Sequence, residues 1–181
     1  MPTTAGTGSE RPSPPYHHPA ARHKYPINDF ALIPDYAVLD PELTRGLPPM
    51  LTATTGMDAL THAIEAYIGR STNRLTRAMS EEAATRIVRS LYKAYTDGGD
   101  MQRARTCFAR LTARAYPSPA PTSAMSTAWP IRSAVNTACR TGWPMRSSCR
   151  IFLDAYGAAC HKKLGRLARI AGVASPNASD S

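Results

Sequence analysis

The sequence predicts a mainly helical fold, with short extended segments confined to its N-terminal side. Residues 56–68, 75–95 and 153–171 carry the helical prediction, because each repeats apolar residues at helical spacing. Residues 24–44 combine prolines with short apolar runs, which favours extended pieces and turns. We therefore expect a helical domain that follows a short non-helical segment.

The non-helical segment reads KYPINDFALIPDYAVLDPELT over residues 24–44. Its apolar run at 36–39 predicts an extended piece, and the following Asp40-Pro41 pair predicts a turn. This segment should lead the chain into the first helix.

The first helix is predicted over residues 56–68. Thr54 or Thr55 is the expected N-cap, because a threonine hydroxyl can accept a hydrogen bond from an unpaired amide of the first turn. An apolar stripe along this helix predicts the face that packs on the core. The stripe consists of Leu60, Ile64 and Tyr67.

The second helix is predicted from about residue 75 to residue 95. Apolar residues recur at every fourth position, which indicates an amphipathic helix with one buried face. They are Leu75, Met79, Ala83, Ile87, Leu91 and Tyr95. The Asp97-Gly98-Gly99 sequence is expected to end the helix.

The third helix is predicted over residues 153–171, with Gly172 as its stop. Basic residues near its end suit the negative end of the helix dipole, and we interpret them as a solvated helix end. They are Lys162, Lys163, Arg166 and Arg169. Residues 174–181 are expected to form a disordered tail.

Asp58 and His62 lie four residues apart in the first helix, so both side chains share one helical face. A carboxylate and an imidazole at this spacing can bind one divalent ion. The alternatives are an exposed ion pair or a hydrogen-bonded core histidine. Because a metal site usually needs at least three protein ligands, the pair alone predicts an incomplete site.

The net charge of +9 first suggests nucleic-acid binding. Residues 101–150, however, hold eight arginines and no acidic residue, and the rest of the chain is nearly neutral. The same stretch has five prolines and no sustained helical or strand periodicity, yet it contains both tryptophans, unlike a common linker. These arginines have no helical spacing, which argues against a nucleic-acid-binding surface.

The cysteines form no CxxC pair, so neither a zinc ribbon nor a redox motif is predicted. No apolar run is long enough to cross a bilayer, and the N-terminus lacks the apolar centre of a secretion signal. We therefore expect a cytoplasmic protein with free thiols and no membrane partner.

Five segments of the sequence resemble the iron-containing alcohol dehydrogenase family. They are PTTAGTGSE at 2–10, the block at 24–44, LPP at 47–49, ATTGMDALTHAIEAY at 53–67 and LDAYGAACHKKLGRLARIAGV at 153–173. The resemblance implies an α/β dinucleotide-binding domain followed by a helical metal domain. Residues 1–45 would be the C-terminal remnant of the first domain, and residues 46–173 would be part of the second. The chain would be a truncated fragment without the family's Gly-rich phosphate loop.

The resemblance also implies the site residues. Asp58 and His62 would be the first two of four metal ligands, with Fe²⁺, or Zn²⁺ in its place, as the ion. Thr3, Thr4, Thr7 and Lys24 would contact NAD(H) or NADP(H). No catalytic side chain that acts as a general base is identifiable in the sequence.

The other two metal ligands of the family are histidines of a segment that this sequence lacks. In its place stands the anomalous stretch 106–152. Our hypothesis is that two compensating insertions or deletions put this stretch out of frame, since a shifted reading permits histidines near Thr127, Ile131 and Thr141. The coding DNA tests this directly.

The implied activity is hydride transfer between a nicotinamide and a small alcohol or aldehyde, catalysed by a protein whose family members are often homo-oligomers. With half the metal ligands missing, we expect the chain as written to be impaired or inactive. Two alternatives stay open, namely an inert gene remnant and a non-enzymatic basic protein that binds nucleic acid.

Overall fold

The computed structural model describes a minority of the N-terminal residues and most of the helical part. The described residues are 3–4, 15–18, 23–26, 35–36, 38, 40–69, 72–97, 153–154 and 156–174. Several of our predictions fall outside them. These concern Thr7, the Gly98-Gly99 helix stop, the anomalous stretch 106–152 and the tail beyond residue 174.

The strands of the described structure form one antiparallel pair, β1 (Pro15–His18) and β2 (His23–Pro26). In this register Tyr16 pairs with Tyr25, and His17 pairs with Lys24. The predicted extended piece at 36–39 is not a strand at the two positions that the structure describes, residues 36 and 38.

A 3₁₀ helix, Pro41–Thr44, follows at the position of the predicted turn. Asp40 is its N-cap, and its carboxylate accepts a hydrogen bond of 3.0 Å from the amide of Glu42. Proline suits the first position of such a helix, because its fixed φ is already helical and it has no amide hydrogen to satisfy. The Asp40-Pro41 pair thus begins a 3₁₀ helix at the place where a turn was predicted.

The first α-helix, α1 (Pro49–Ile68), is longer than predicted. Its N-cap is Pro48, so the prediction of Thr54 or Thr55 as N-cap is wrong. Both threonines lie inside the helix, where their hydroxyls donate to the carbonyl of Leu51 at 3.0 and 2.9 Å. A threonine hydroxyl can satisfy either a free amide at a helix start or a carbonyl one turn back, so its sequence position alone does not distinguish the two roles.

The second α-helix, α2 (Arg74–Thr96), confirms the predicted bounds closely. Asn73 caps it by accepting a hydrogen bond of 2.8 Å from the amide of Thr76. Its buried residues are Ser80, Ala84 and Ile87. Leu75 and Tyr95, at the two ends of the predicted stripe, are exposed. An exact four-residue repeat drifts by about 40° per step around a helix of 3.6 residues per turn, so its ends leave the buried face.

The third α-helix of the described residues, α3 (Ala158–Ala171), follows a break in the predicted helix, whose residues 153 and 154 are also helical. Gly157 precedes it with a φ of +52°, a left-handed conformation that interrupts the predicted continuous helix. Gly172 ends it with a φ of +75°, and the amide of Val173 donates to the carbonyl of Ala168 at 2.9 Å. The predicted stop is therefore confirmed as a left-handed glycine cap.

The three helices of the described residues pack on one another around a small shared core. Ala63 and Tyr67 enter it from α1, Ala84 from α2 and Leu167 from α3. Gly56 allows α1 and α2 to approach closely, because a Cβ there would overlap the side chain of Leu91. Within the described residues, no helix is both long and apolar enough to span a membrane.

Candidate metal site

Asp58 and His62 lie side by side on α1, as their spacing predicted. Oδ1 of Asp58 is 3.7 Å from Nε2 of His62. The Asp58 side chain is 11% exposed and that of His62 is 34% exposed. The carboxylate is therefore nearly enclosed, while the imidazole beside it is open to solvent and to small ligands.

The distance between these two atoms suits a shared divalent ion. Bonds of about 2.1 Å from a metal to nitrogen and oxygen, at a tetrahedral angle, place two ligand atoms about 3.4 Å apart. The separation of 3.7 Å needs only a small side-chain adjustment to reach this value. The pair therefore fits two positions of a coordination sphere.

Burial raises the pKa of the Asp58 carboxyl above its ordinary value of 3.8, and the nearby His62 opposes this shift. Desolvation disfavours the charged form of a carboxyl group, whereas a neighbouring positive charge favours it. A divalent cation would act in the same direction as His62 and more strongly, because its charge is larger. A bound cation would therefore offset the free-energy cost of burying the ionised Asp58 carboxylate.

The described residues supply no third ligand. None of their histidine, cysteine, aspartate and glutamate side chains forms a group of three or more that could hold an ion. In the part of the chain that the structure describes, Asp58 and His62 thus stand as a two-ligand set.

The predicted cofactor residues lie in the N-terminal part of the chain. Thr3 is exposed and Thr4 is half-buried, while Thr7 lies outside the described residues. The backbone of Lys24 forms part of β2. Asp58 and His62 are the pair of predicted site residues that the described structure brings within contact distance.

A second polar cluster, which the sequence did not predict, joins α1, α2 and α3. The hydroxyl of Tyr67 donates to Oε1 of Glu81 at 3.2 Å, and Nη2 of Arg166 lies 3.8 Å from the same oxygen. Burial raises the pKa of the Tyr67 hydroxyl, and the negative charge of Glu81 adds to the effect. The tyrosine therefore stays protonated and acts as a donor.

Two of the basic residues of α3, which we interpret as a solvated helix end, also make contacts with the other helices. Nζ of Lys163 donates to the carbonyl of Ile68 at 2.9 Å, and Arg166 faces Glu81. Ile68 is the last residue of α1, whose terminal carbonyls have no partner within the helix. Both contacts cross long stretches of sequence, so helical periodicity could not indicate them.

Comparison with known proteins agrees with the predicted family. The model of the Fe-containing alcohol dehydrogenase family, C-terminal part, matches residues 52–128, which include most of α1, all of α2 and the first part of the stretch 106–152. The chain is 46% identical over 99 residues to 1-propanol dehydrogenase PduQ of Citrobacter freundii, covering 54% of this chain and 27% of that protein. It is 50% identical over 72 residues to the NADPH-dependent butanol dehydrogenase of Clostridium saccharobutylicum, covering 40% of this chain and 19% of that protein.

The fold is similar to that of solved members. The sulfoacetaldehyde reductase of Bifidobacterium kashiwanohense, crystallised with NAD⁺, superposes with a TM-score of 0.81 at 28% identity, over 94% of this chain and 46% of that one. The chain thus spans about a quarter of the length of PduQ and less than half of the reductase. The helical part of the fold prediction is confirmed, and the α/β remnant stays a prediction. Over residues 52–128 the chain is thus similar to the iron-containing alcohol dehydrogenase family, C-terminal part.

Proposed function

We propose that this chain is part of a metal-dependent, NAD(P)-dependent alcohol dehydrogenase or aldehyde reductase, which transfers hydride between a nicotinamide and a small alcohol or aldehyde. The observation that carries the proposal is the Asp58 and His62 pair, 3.7 Å apart on one face of α1 within the region that matches the family. The names of the relatives, which include a 1-propanol and a butanol dehydrogenase, support the substrate class.

Asp58 and His62 would hold a divalent ion through Oδ1 and Nε2. We propose Fe²⁺, after the family, with Zn²⁺ as the substitute that the same ligand types accept. When bound, such an ion polarises an alcohol or carbonyl oxygen. The enclosure of Asp58 keeps water away from its carboxylate and so strengthens its attraction to a cation. The more exposed His62 stands where a small substrate could approach.

We further propose that Thr3, Thr4, Thr7 and Lys24 contact NAD(H) or NADP(H), as part of a remnant of the nucleotide-binding domain. The support is the family resemblance of residues 2–10 and 24–44 together with the NAD⁺ complex of one structural neighbour and the NADPH in the name of one relative. A cytoplasmic location and a homo-oligomeric assembly belong to the same proposal.

The chain as written is impaired, on this proposal, because its metal site lacks ligands. The sequence has no histidine between His62 and His161, the interval in which the family places its remaining ligands. An out-of-frame stretch within 106–152 accounts for this gap. The family match continues to residue 128. The first of the two frame changes would therefore lie between residue 105 and about residue 128. Sequencing the gene decides the point, because a single shift must restore the histidine segment.

Metal binding is the direct test, because it depends on the Asp58 and His62 side chains themselves. We would titrate the purified chain with Co²⁺ and follow the visible spectrum of the bound ion. Weak binding is expected, and it should be lost in Asp58→Ala and His62→Ala. His161→Ala is the matched control, since His161 is an exposed histidine of α3. Equal binding by the control and the two variants would refute the site.

The impairment is tested separately with a chain in which the frame of 106–152 is restored. It should bind Co²⁺ more tightly than the chain as written, because a third and a fourth ligand join the pair. If the restored chain binds no more tightly, the proposed role of the stretch is wrong even when the pair itself binds. If neither chain binds any metal, the inert gene remnant becomes the better description.

Nucleic-acid binding is the second candidate, because residues 101–150 carry eight arginines and no acidic residue. Filter binding of duplex DNA at several salt concentrations distinguishes it from the dehydrogenase proposal. A steep loss of tight binding with rising salt would favour the nucleic-acid protein. Weak binding that disappears at moderate salt is what a merely basic chain should show.

A further inference from the structure

A pocket of about 330 Å³ lies between α2 and α3. Four of its five lining residues are charged, and three of those are arginines. The lining residues are Arg74, Arg77, Ala78, Glu81 and Arg166. The pocket therefore carries an excess of two positive charges.

The arrangement follows from helical spacing on α2. Arg74, Arg77 and Ala78 are three and four residues apart, and Glu81 follows at the next turn, so they share one face of the helix. Arg166 approaches the same space from α3. The short side chain of Ala78 leaves room between the longer side chains around it.

The single acidic residue of the pocket is already engaged. Glu81 accepts a hydrogen bond from Tyr67 at 3.2 Å and faces Arg166 at 3.8 Å. Among the described residues, Arg74 and Arg77 make no ion pair. Two guanidinium groups at the pocket thus keep their donors available for a ligand.

The pocket is separate from the candidate metal site. Tyr67, which contacts the pocket through Glu81, lies nine residues after Asp58 on α1. Nine residues turn a helix by about 900°, which places the two side chains on opposite faces. A ligand in the pocket would therefore leave Asp58 and His62 free.

We propose that this pocket binds the phosphate group of a small phosphorylated molecule. A phosphate monoester carries nearly two negative charges at neutral pH, which matches the excess charge of the pocket. Guanidinium groups bind phosphate oxygens through paired hydrogen bonds, and the two free arginines are one helical turn apart. The pocket volume of about 330 Å³ exceeds that of a phosphate group and so accommodates a small attached moiety.

The test is a calorimetric titration of the full chain at low chloride concentration. Inorganic phosphate and glycerol 3-phosphate are titrated in separate experiments. Saturable binding of both is expected, with the ester tighter if the attached moiety also contacts the pocket. Arg77→Gln should weaken phosphate binding by about tenfold, as expected for the loss of a hydrogen bond to a charged group. Circular dichroism checks that each variant remains helical.

Two further variants separate a built site from general positive charge. Arg89→Gln removes the same charge from an exposed position of α2 that does not line the pocket, and it should bind phosphate as the parent does. Ala78→Leu leaves every charge in place but occupies the space between the arginines and Glu81, and it should weaken binding clearly. The proposal is overturned if no binding saturates, if Arg89→Gln weakens binding as much as Arg77→Gln, or if Ala78→Leu binds normally.

Discussion

The hydroxyl of Tyr67, near the end of α1, donates a hydrogen bond of 3.2 Å to Oε1 of Glu81 on α2. Tyr67 is only 2% exposed, so this polar contact lies at the edge of the shared core. Arg166 of α3 faces the same carboxylate, and one glutamate therefore links three helices. The contact is the point at which the core and the charged pocket meet.

Removing the tyrosine hydroxyl should weaken the fold measurably. Tyr67→Phe keeps the ring in the core and deletes the donor to Glu81, so the free energy of unfolding should fall by about 1 kcal/mol. Urea denaturation followed by circular dichroism measures the change. Tyr92→Phe is the matched control, because Tyr92 is 74% exposed, and it should change stability little. Equal effects of the two substitutions would contradict the assigned role.

Removing the ammonium group of Lys163 should loosen the attachment of α3 to the end of α1. Lys163→Met keeps most of the side-chain length but loses the donor to the Ile68 carbonyl, which should cost about 1 kcal/mol of unfolding free energy. Lys162→Met, at the neighbouring exposed position, should be nearly neutral. A larger loss in the Lys162 variant than in the Lys163 variant would show that the contact is unimportant in solution.

Truncating Ile87 should be the most damaging single change on α2. The residue is 1% exposed, so Ile87→Ala removes buried methyl groups and leaves a cavity, at a cost of about 2 to 5 kcal/mol. Leu75→Ala on the same helix, at a position that is 51% exposed, should cost far less. Thermal unfolding of both variants compares them. Similar unfolding midpoints for the two variants would contradict the assignment of Ile87 to the buried face of α2.

The raised pKa of Asp58 predicts a defined pH dependence. Because burial raises the folded-state pKa above the ordinary 3.8, the protonated carboxyl favours the folded state. This contribution is fully present below pH 3.8 and is lost as the pH rises through the raised value. Asp58→Asn, which stays uncharged, should therefore gain stability relative to the parent as the pH rises through this window.

Denaturant midpoints of the parent and of Asp58→Asn, measured from acidic to neutral pH, test the prediction. Only the difference between the two proteins is informative, because other groups titrate in both. A difference that stays constant with pH would contradict a raised pKa. Divalent metal should reduce the difference in denaturant midpoint between the two proteins at neutral pH, because it stabilises the ionised Asp58 carboxylate, which only the parent has.

Local patterns in the sequence were sufficient for the helices and for the adjacency of the metal pair. The repeat of apolar residues predicted α2 to within one residue at each end, and the i, i+4 spacing placed Asp58 beside His62. Both follow from the geometry of a single helix, which any residue pair at that spacing must obey. The start of α1 was misplaced because threonine hydroxyls serve helix interiors as well as helix starts.

The sequence by itself determined the helical class, the family resemblance and the pairing of Asp58 with His62, because each rests on local spacing or on short motifs. Tertiary structure alone decided the contacts between helices, such as Tyr67 with Glu81 and Lys163 with Ile68. Lys163 and Ile68 are 95 residues apart, and no local period relates them. Their contact depends on how three helices cross, which is set by the shapes of the packed side chains rather than by any one helix.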